Sequence, residues 1–291
     1  MPDMQPPAGF TLLNRYRVFG GWQQFFSHSS TNTHCDMRFG LYLPPQAEAG
    51  RVPLLIYLAG LTCTEETFAI KAGAQRIAAE LGLAVLTPDT SPRVRLPGDD
   101  ESWDFGLAAG FYLDATEAPW STHYRMYSYV ASELPYALAR SFPVDTARMG
   151  IFGHSMGGHG ALTIGLKHPE RFRTLSAFAP ISAPMQCPWG QKALPRYLGE
   201  NRDAWRRYDA TELVATVRNA AQRAPLLVDQ GLDDEFLAKQ LMPEKLEAAC
   251  RAVGYPLTLR QHAGYGHGYW FVSTFVEDHL RHHARGLSAA A

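Results

Sequence analysis

The second half of the chain contains residues that could act as a nucleophile, an orienting acid and a base, in that order. Ser155 is the centre of Gly153-His-Ser-Met-Gly157, which joins an apolar run, Met149–Phe152, to a helical run, Met156–Lys167. A serine on a sharp turn from a strand to a helix has an exposed hydroxyl and is typical of acyl transfer. Side chains at the two glycine positions would clash with the strand and the helix. The motif therefore predicts that Ser155 is a catalytic nucleophile.

A base is expected in the loop after the last predicted strand. His267 lies in the glycine-rich stretch Gly264-Tyr-Gly-His-Gly-Tyr-Trp270, which leads into a helical run. Glycine permits many backbone conformations, so an imidazole in this stretch would be mobile and exposed. His262 is expected to end the strand. We therefore predict that His267 is the base.

The other histidines after the motif are predicted to be structural. His159 and His168 fall within or at the end of the helix that follows the nucleophile, and they face away from a site above it. A spacing of i, i+3, i+4 puts His279, His282 and His283 on one side of the terminal helix. No second cluster of ligands accompanies them, so a solvated helix face is predicted there and not a zinc site.

An orienting carboxylate is expected between the nucleophile and the base in sequence, after the strand that precedes the base's strand. The candidates lie at the end of the apolar run Leu226–Asp229 and just after it, and they are Asp229, Asp233 and Asp234. Asp229 is predicted to lie on the strand itself. Spacing alone leaves Asp233 and Asp234 open. The usual hydrolase layout, three residues after a loop glycine, favours Asp234 after Gly231, and the other acid would cap a helix.

Acyl transfer also needs two N–H donors for the oxygen that becomes negatively charged. One is predicted to be the backbone N–H of Met156, the residue after the nucleophile. The other is expected in the loop after the first central strand, with Leu61 as the donor. His267 would take the Ser155 proton and return it to the leaving group, while the acid would fix the tautomer of the imidazole.

The elements that hold these residues follow from apolar periodicity. Alternation of apolar and polar residues predicts a half-buried strand that contains Met37, Phe39, Leu41 and Leu43. Its antiparallel neighbours are predicted at Tyr16–Val18 and Gln23–Phe26. Continuous apolar runs predict buried strands at Val52–Leu58, Leu83–Leu86, Met149–Phe152, Leu175–Phe178, Pro225–Val228 and Leu257–Leu259. Helices are predicted at Thr67–Leu81, His123–Arg140, Met156–Lys167, Phe236–Ala252 and Tyr269–Arg285.

Buried strands that alternate with helices imply a parallel sheet covered on both faces. The predicted fold class is therefore α/β. By analogy it is an α/β-hydrolase fold, with a mostly parallel central sheet, antiparallel N-terminal strands and helices on both faces. The segment Asp89–Tyr124 has no clear period, and such a long irregular segment in a compact domain is often functional.

Composition restricts the class of protein. Hydrophobic residues make up 46% and charged residues 19% of the 291, and no linker or repeat divides them, so a single domain over residues 1–291 is predicted. A net charge of −1 gives no basic excess for nucleic acid or a membrane surface. The apolar run Val52–Leu61 is too short to cross a bilayer, and Met1–Arg15 lacks the apolar core of a signal peptide. Scattered cysteines, at Cys35, Cys63, Cys187 and Cys250, indicate reduced thiols in a cytoplasmic protein.

Nine segments, in one order along the chain, match a single known family. They are Tyr57–Glu66, Pro88–Arg93, Asp99–Gly106, Gly110–Thr116, Tyr124–Tyr129, Gly153–Leu162, Cys187–Lys192, Asp229–Asp234 and Asp278–Ala284. The chain resembles the S-formylglutathione hydrolases, also called esterase D. The resemblance implies a cytosolic, cofactor-free thioesterase that hydrolyses S-formylglutathione to glutathione and formate in formaldehyde detoxification. It also implies a homodimer and cleavage of small aryl esters.

The resemblance assigns roles to residues of this chain. It places the triad at Ser155, Asp234 and His267, and the oxyanion donors at Leu61 and Met156. It also points to substrate contacts, which are expected at Trp189, Cys63, Trp103 and Lys192, with Arg93 as a further candidate for the charged ends of glutathione. Core packing is the alternative for Cys63 and Trp189, and solvated charge is the alternative for Lys192 and Arg93.

The segment around the base departs from the family pattern. The usual Tyr-Asp-His-Ser-Tyr-Tyr is Tyr265-Gly-His-Gly-Tyr-Trp270 here, so Gly266 and Gly268 replace a carboxylate and a hydroxyl. A more flexible loop and a less polar mouth are expected, which makes a broad small-acyl carboxylesterase the alternative function. An acyltransferase and a non-catalytic binding protein on the same fold are weaker alternatives.

Overall fold

The computed structural model describes residues 6–288, and a nine-stranded sheet forms its centre. The strands are β1 Thr11–Val18, β2 Gly21–Ser30, β3 Cys35–Leu43, β4 Val52–Leu58, β5 Ala84–Pro88, β6 Val144–His154, β7 Phe172–Phe178, β8 Leu226–Gly231 and β9 Leu257–His262. Their order in the sheet is β1-β2-β3-β5-β4-β6-β7-β8-β9. The pairs from β1 to β5 are antiparallel, and all pairs from β5 to β9 are parallel. This architecture confirms the predicted α/β-hydrolase fold.

Helices fill the connections between the parallel strands. The α-helices are α1 Glu65–Lys71, α2 Gln75–Leu81, α3 Met126–Ser128, α4 Leu134–Ser141, α5 Met156–Lys167, α6 Pro188–Leu198, α7 Arg202–Arg206, α8 Ala210–Ala215, α9 Pro243–Val253 and α10 Tyr269–Ser288. Single π-helical turns occur at Tyr129–Glu133 and Leu237–Leu241. Short 3₁₀ turns occur at Pro45–Glu48, Trp120–Thr122, Pro184–Gln186 and Ala220–Gln222.

The apolar runs of the sequence become the buried centre of the sheet. Strands β5 and β8 are buried at every residue, and β4 and β7 at all but one residue each. Parallel strands have helices on both faces, so neither face can be polar. In β3 the alternation survives only near its start, because from Phe39 onward both faces are covered. Both predicted antiparallel neighbours of β3 are present, as parts of β1 and β2.

Two predicted helices are each divided in the structure. The span Thr67–Leu81 contains α1 and α2, with Gly73 between them at a φ of +67°. The span Phe236–Ala252 is divided at Met242, which has a φ of +48° and precedes Pro243. Both residues lie in the left-handed region, which a helix cannot pass through. The helical pattern therefore located both segments correctly and was wrong about their continuity.

The prediction of a solvated histidine face on the terminal helix was wrong. His279 and His283 are fully buried, because α10 packs this side on β7. The His283 ring nitrogens lie 2.6 Å from Thr174 Oγ1 and 2.8 Å from Ser176 Oγ, and His279 Nδ1 lies 2.8 Å from Ser176 Oγ. Burial lowers the pKa of His283 well below its ordinary value, so the ring stays neutral. The polar side of the helix thus pairs with strand hydroxyls and not with water.

Two negative findings apply to residues 6–288. No helix there is both long enough and apolar enough to cross a membrane. No group of three or more histidine, cysteine, aspartate or glutamate side chains in this range is arranged to hold a metal ion. The prediction that Met1–Arg15 is not a signal peptide concerns a stretch whose first five residues lie outside the described residues.

Candidate active site

Ser155 lies on a strained turn between β6 and α5. Its φ of +59° and ψ of −120° belong to a region that side chains rarely adopt, and such strain persists only where surrounding structure enforces it. A Cβ at Gly157 would lie 1.9 Å from the Leu58 carbonyl oxygen, and one at Gly153 would lie 2.2 Å from the Gly157 oxygen. Both distances are far below contact, so the two flanking glycines are sterically required, as predicted.

Helix α5 begins at Met156, the residue after Ser155. A helix has a partial positive charge at this end and backbone N–H groups without intrahelical partners. An anion that forms on a group bound at Ser155 would therefore lie beside the Met156 end of the helix. This position is the one that the sequence predicted for an oxyanion donor.

His267 and Asp234 are in direct contact. His267 Nδ1 lies 2.6 Å from Asp234 Oδ2, and the Asp234 side chain is fully buried. The carboxylate also accepts hydrogen bonds from the Phe236 N–H, at 2.8 Å, and from Gln230 Nε2, at 3.3 Å. A carboxylate only accepts hydrogen bonds, so Nδ1 carries the proton and Nε2 is left as an acceptor.

The structure separates the two neighbouring acids. Asp233 is exposed, and its backbone N–H donates to the Tyr265 carbonyl at 3.0 Å. One residue later the chain has turned inward, so the Asp234 side chain reaches His267. The loop after β8 is thereby tied to the loop after β9. Asp234, three residues after Gly231, is therefore the acid that contacts the imidazole.

A cavity of about 300 Å³ collects most of the predicted site residues. Its lining includes Ser155, His267, Leu61, Cys63, Trp103 and Trp189. Ser155 and His267 both line this cavity. Among residues 6–288, the His267 ring forms a hydrogen bond with Asp234, and no hydrogen bond joins this ring to Ser155. Catalytic hydrogen bonds are often long in unliganded enzymes and shorten when substrate binds.

An aromatic wall forms one side of the cavity. Trp103 meets Trp189 edge to face at a centroid distance of 5.6 Å, Trp189 meets Phe236 at 4.8 Å, and Phe236 meets His267 at 4.9 Å. Trp189 is buried, whereas Trp103 is 51% exposed at the mouth. Phe236 was not predicted. The sequence gives only a weak indication of its role, namely an aromatic residue two positions after Asp234.

His154 is a second residue of the cavity that sequence reasoning missed. Its ring lies 4.5 Å from the His267 ring and is almost fully buried. Neither ring nitrogen has a hydrogen-bond partner among the described residues. Burial, together with His267, holds the pKa of His154 well below its ordinary value. His154 therefore provides a neutral surface against which His267 packs.

The loop with the second expected oxyanion donor lies close to the nucleophile. A Cβ at Gly60 would lie 3.2 Å from the Ser155 Cβ. Thr62, two residues on, has a φ of +68°, which is a true outlier for a β-branched residue. Its N–H donates to the Ala108 carbonyl at 3.1 Å. Leu61 lies between these two positions and is buried.

The irregular segment Asp89–Tyr124 braces this loop. Tyr112 is fully buried and donates its hydroxyl to the Ala59 carbonyl at 2.9 Å. Thr90 Oγ1 donates to the Cys63 carbonyl at 2.6 Å, and Arg93 Nη2 donates to the same oxygen at 2.9 Å. Arg93 also pairs with the buried Asp89 at 2.5 Å. The segment thus holds in place the loop that is expected to supply the second oxyanion donor.

Two predicted substrate contacts lie outside the cavity lining. Arg93 is held by Asp89 and the Cys63 carbonyl, as described above. Lys192 Nζ lies 2.5 Å from Asp104 and 3.0 Å from Asp100. The structure therefore places both cations in protein contacts, and it brings neither of them to the cavity.

Cys63 faces the cavity with a thiol that is partly buried. The four cysteines of the chain are all free. Burial raises the pKa of the Cys63 thiol above its ordinary value, although Thr67 and Lys71 oppose the change. Because the thiolate is the nucleophile of a cysteine, this raised pKa disfavours Cys63 as the attacking group.

Comparison with known proteins agrees with the geometry. The model of the family called Esterase matches residues 30–282. The S-formylglutathione hydrolase of Mus musculus is 54% identical over 95% of this chain and 98% of its own, and that of Arabidopsis thaliana is 48% identical over 96% and 99%. A solved S-formylglutathione hydrolase from Agrobacterium tumefaciens is 50% identical, covers 95% of this chain and 99% of its own, and superposes with a TM-score of 0.91.

Proposed function

The chain belongs to the S-formylglutathione hydrolases of the Esterase family, and we propose that Ser155, His267 and Asp234 are its catalytic triad. It is a hydrolase, and its substrate in this proposal is S-formylglutathione. The observation that carries the proposal is the cavity in which a strained serine and the Asp234-bound His267 face the same space.

The first half of the reaction transfers the formyl group to the enzyme. His267 Nε2 takes the Ser155 proton as Oγ attacks the formyl carbon, and the carbonyl oxygen becomes an anion. The backbone N–H groups of Leu61 and Met156 stabilise that anion, which forms at the positive end of α5. The carbon–sulfur bond then breaks, and the sulfur leaves with the proton from His267 as the free thiol of glutathione.

The second half regenerates the serine. Water attacks the formyl ester as His267 Nε2 takes one of its protons, and a second oxyanion forms in the same place. Collapse of this intermediate returns the proton to Ser155 Oγ and releases formic acid, which ionises to formate. Asp234 keeps the proton on Nδ1 throughout, so that Nε2 is free to act as the base in both halves.

The remaining features of the proposal concern the setting of the enzyme. We propose a single domain, no cofactor, a homodimer and a cytoplasmic location, with a role in formaldehyde detoxification. The name S-formylglutathione hydrolase, shared by relatives that cover nearly the whole chain, supports the role in formaldehyde detoxification.

Steady-state kinetics test the substrate. We expect kcat/KM for S-formylglutathione to exceed that for a small aryl acetate by a wide margin. A large preference for the aryl acetate would instead identify a broad carboxylesterase. That result would agree with the open space at Gly268, where a Cβ has nothing within 4 Å.

A further inference from the structure

A second cavity shares Trp103 with the candidate active site. Its volume is about 360 Å³, and Trp103 lines both cavities. The segment 95–107 supplies its whole lining, which includes four charged side chains: Arg95, Asp99, Asp100 and Glu101. Trp103 is half exposed, so a ligand in either cavity can reach this indole.

Two of the four charged groups are already satisfied by the protein. Asp99 accepts from the Leu96 N–H at 2.9 Å and from Trp120 Nε1 at 3.3 Å, one donor on each oxygen. Asp100 Oδ2 lies 3.0 Å from both Lys192 and Arg196. Its other oxygen accepts from the Ser102 N–H at 3.1 Å. These contacts hold the wall of the cavity in place.

The other two charged groups remain available. Arg95 and Glu101 are both exposed, and neither forms an ion pair or a side-chain hydrogen bond with any described residue. One cation and one anion are therefore left in the lining of a cavity that shares Trp103 with the candidate active site. Such a pair is complementary to a ligand that carries both a carboxylate and an ammonium group.

We infer that this cavity binds the charged ends of the leaving thiol, with Arg95 contacting a carboxylate and Glu101 contacting the ammonium group. The inference rests on the proposed function, because glutathione has two carboxylates and one ammonium group. In this arrangement the thioester passes beside Trp103, and its peptide part lies outside the catalytic cavity. The formyl group alone then enters the space between Leu61 and His267.

Substrates that differ only in the leaving group test the inference. Arg95→Gln and Glu101→Gln are each expected to raise KM for S-formylglutathione about threefold, the size of one exposed ion pair, and the double variant about tenfold. The formyl thioester of N-acetylcysteamine has no charge, so its kcat/KM should be the same in these variants as in the unmodified enzyme. Arg251→Gln is the matched control, since Arg251 is exposed on α9.

Four outcomes separate the possibilities. Loss of affinity for the charged thioester alone supports the inference. An unchanged KM for S-formylglutathione in the double variant overturns it, and so does an equal loss on both thioesters. If the unmodified enzyme itself fails to hydrolyse S-formylglutathione, the proposed function fails as well, and that result is visible before any variant is made.

Discussion

Asp234→Asn replaces one carboxylate oxygen with an NH₂ group at a site where both oxygens accept hydrogen bonds. One oxygen accepts from the Phe236 N–H, and the other contacts His267 Nδ1 and Gln230 Nε2. If the amide oxygen keeps its place at His267, the NH₂ group faces the Phe236 N–H. A buried donor without an acceptor costs about 1–3 kcal/mol, so this orientation destabilises the fold.

The other orientation of the introduced amide keeps the Phe236 hydrogen bond, loses only the longer 3.3 Å contact with Gln230 Nε2, and removes the base. Its NH₂ group then donates to His267 Nδ1, which forces the imidazole proton onto Nε2. A protonated Nε2 cannot accept the Ser155 proton. Loss of the correct tautomer in a triad reduces kcat about 10⁴-fold, which corresponds to roughly 5 kcal/mol of transition-state stabilisation.

The assay compares Asp234→Asn with the matched control Asp233→Asn. We expect the first variant to lose about three to four orders of magnitude in kcat for S-formylglutathione at pH 7. Thermal unfolding should show that most of the protein remains folded. Asp233 is exposed, so its variant should keep nearly full activity. If Asp233→Asn lost activity to this extent while Asp234→Asn kept it, Asp234 would not be the acid of the triad.

Three further outcomes follow from buried groups. Gly157→Ala places a Cβ 1.9 Å from a backbone oxygen, so a loss of at least about 1–3 kcal/mol in urea unfolding is expected, and an unchanged midpoint would contradict the described elbow. Cys63→Ala should keep most of its kcat on S-formylglutathione, whereas abolished turnover would identify the thiol as the nucleophile. Burial lowers the pKa of His159 to about 4, so the unfolded chain binds more protons than the folded chain between pH 6.5 and 4. The free energy of unfolding should therefore fall as the pH falls through this window, by up to about 3 kcal/mol from His159, and His159→Gln should flatten the dependence.

The sequence identified those features that short-range patterns determine. Continuous apolar runs located the buried strands, because a strand covered on both faces has no polar side to show. Ser155 was recognisable because its two glycines stand at fixed spacing around it between a strand run and a helix run, although the backbone oxygen that excludes a side chain at Gly157 belongs to the distant Leu58. His267 was recognisable because a glycine-rich loop after the last strand brings an imidazole to the same edge of the sheet.

Features that depend on distant partners could not be predicted. Tyr112 donates to a carbonyl 53 residues earlier in the chain, and no local pattern shows this bond. The histidines of α10 lie on one side of the helix, as their spacing requires. Whether that side meets water or a strand depends on Thr174 and Ser176, about a hundred residues earlier. Which charges of the segment 95–107 stay free likewise depends on distant residues, since Asp100 pairs with Lys192 and Arg196 whereas Arg95 and Glu101 form no ion pair with the described residues.

The central claim is that Ser155 attacks the acyl carbon. Peptide mapping after reaction with a fluorophosphonate tests it most directly, since this reagent forms a stable adduct with an activated serine. We expect one adduct per chain, on the peptide that contains Ser155, and no labelling or turnover in Ser155→Ala. An adduct on any other residue, or continued hydrolysis of S-formylglutathione by Ser155→Ala, would contradict it.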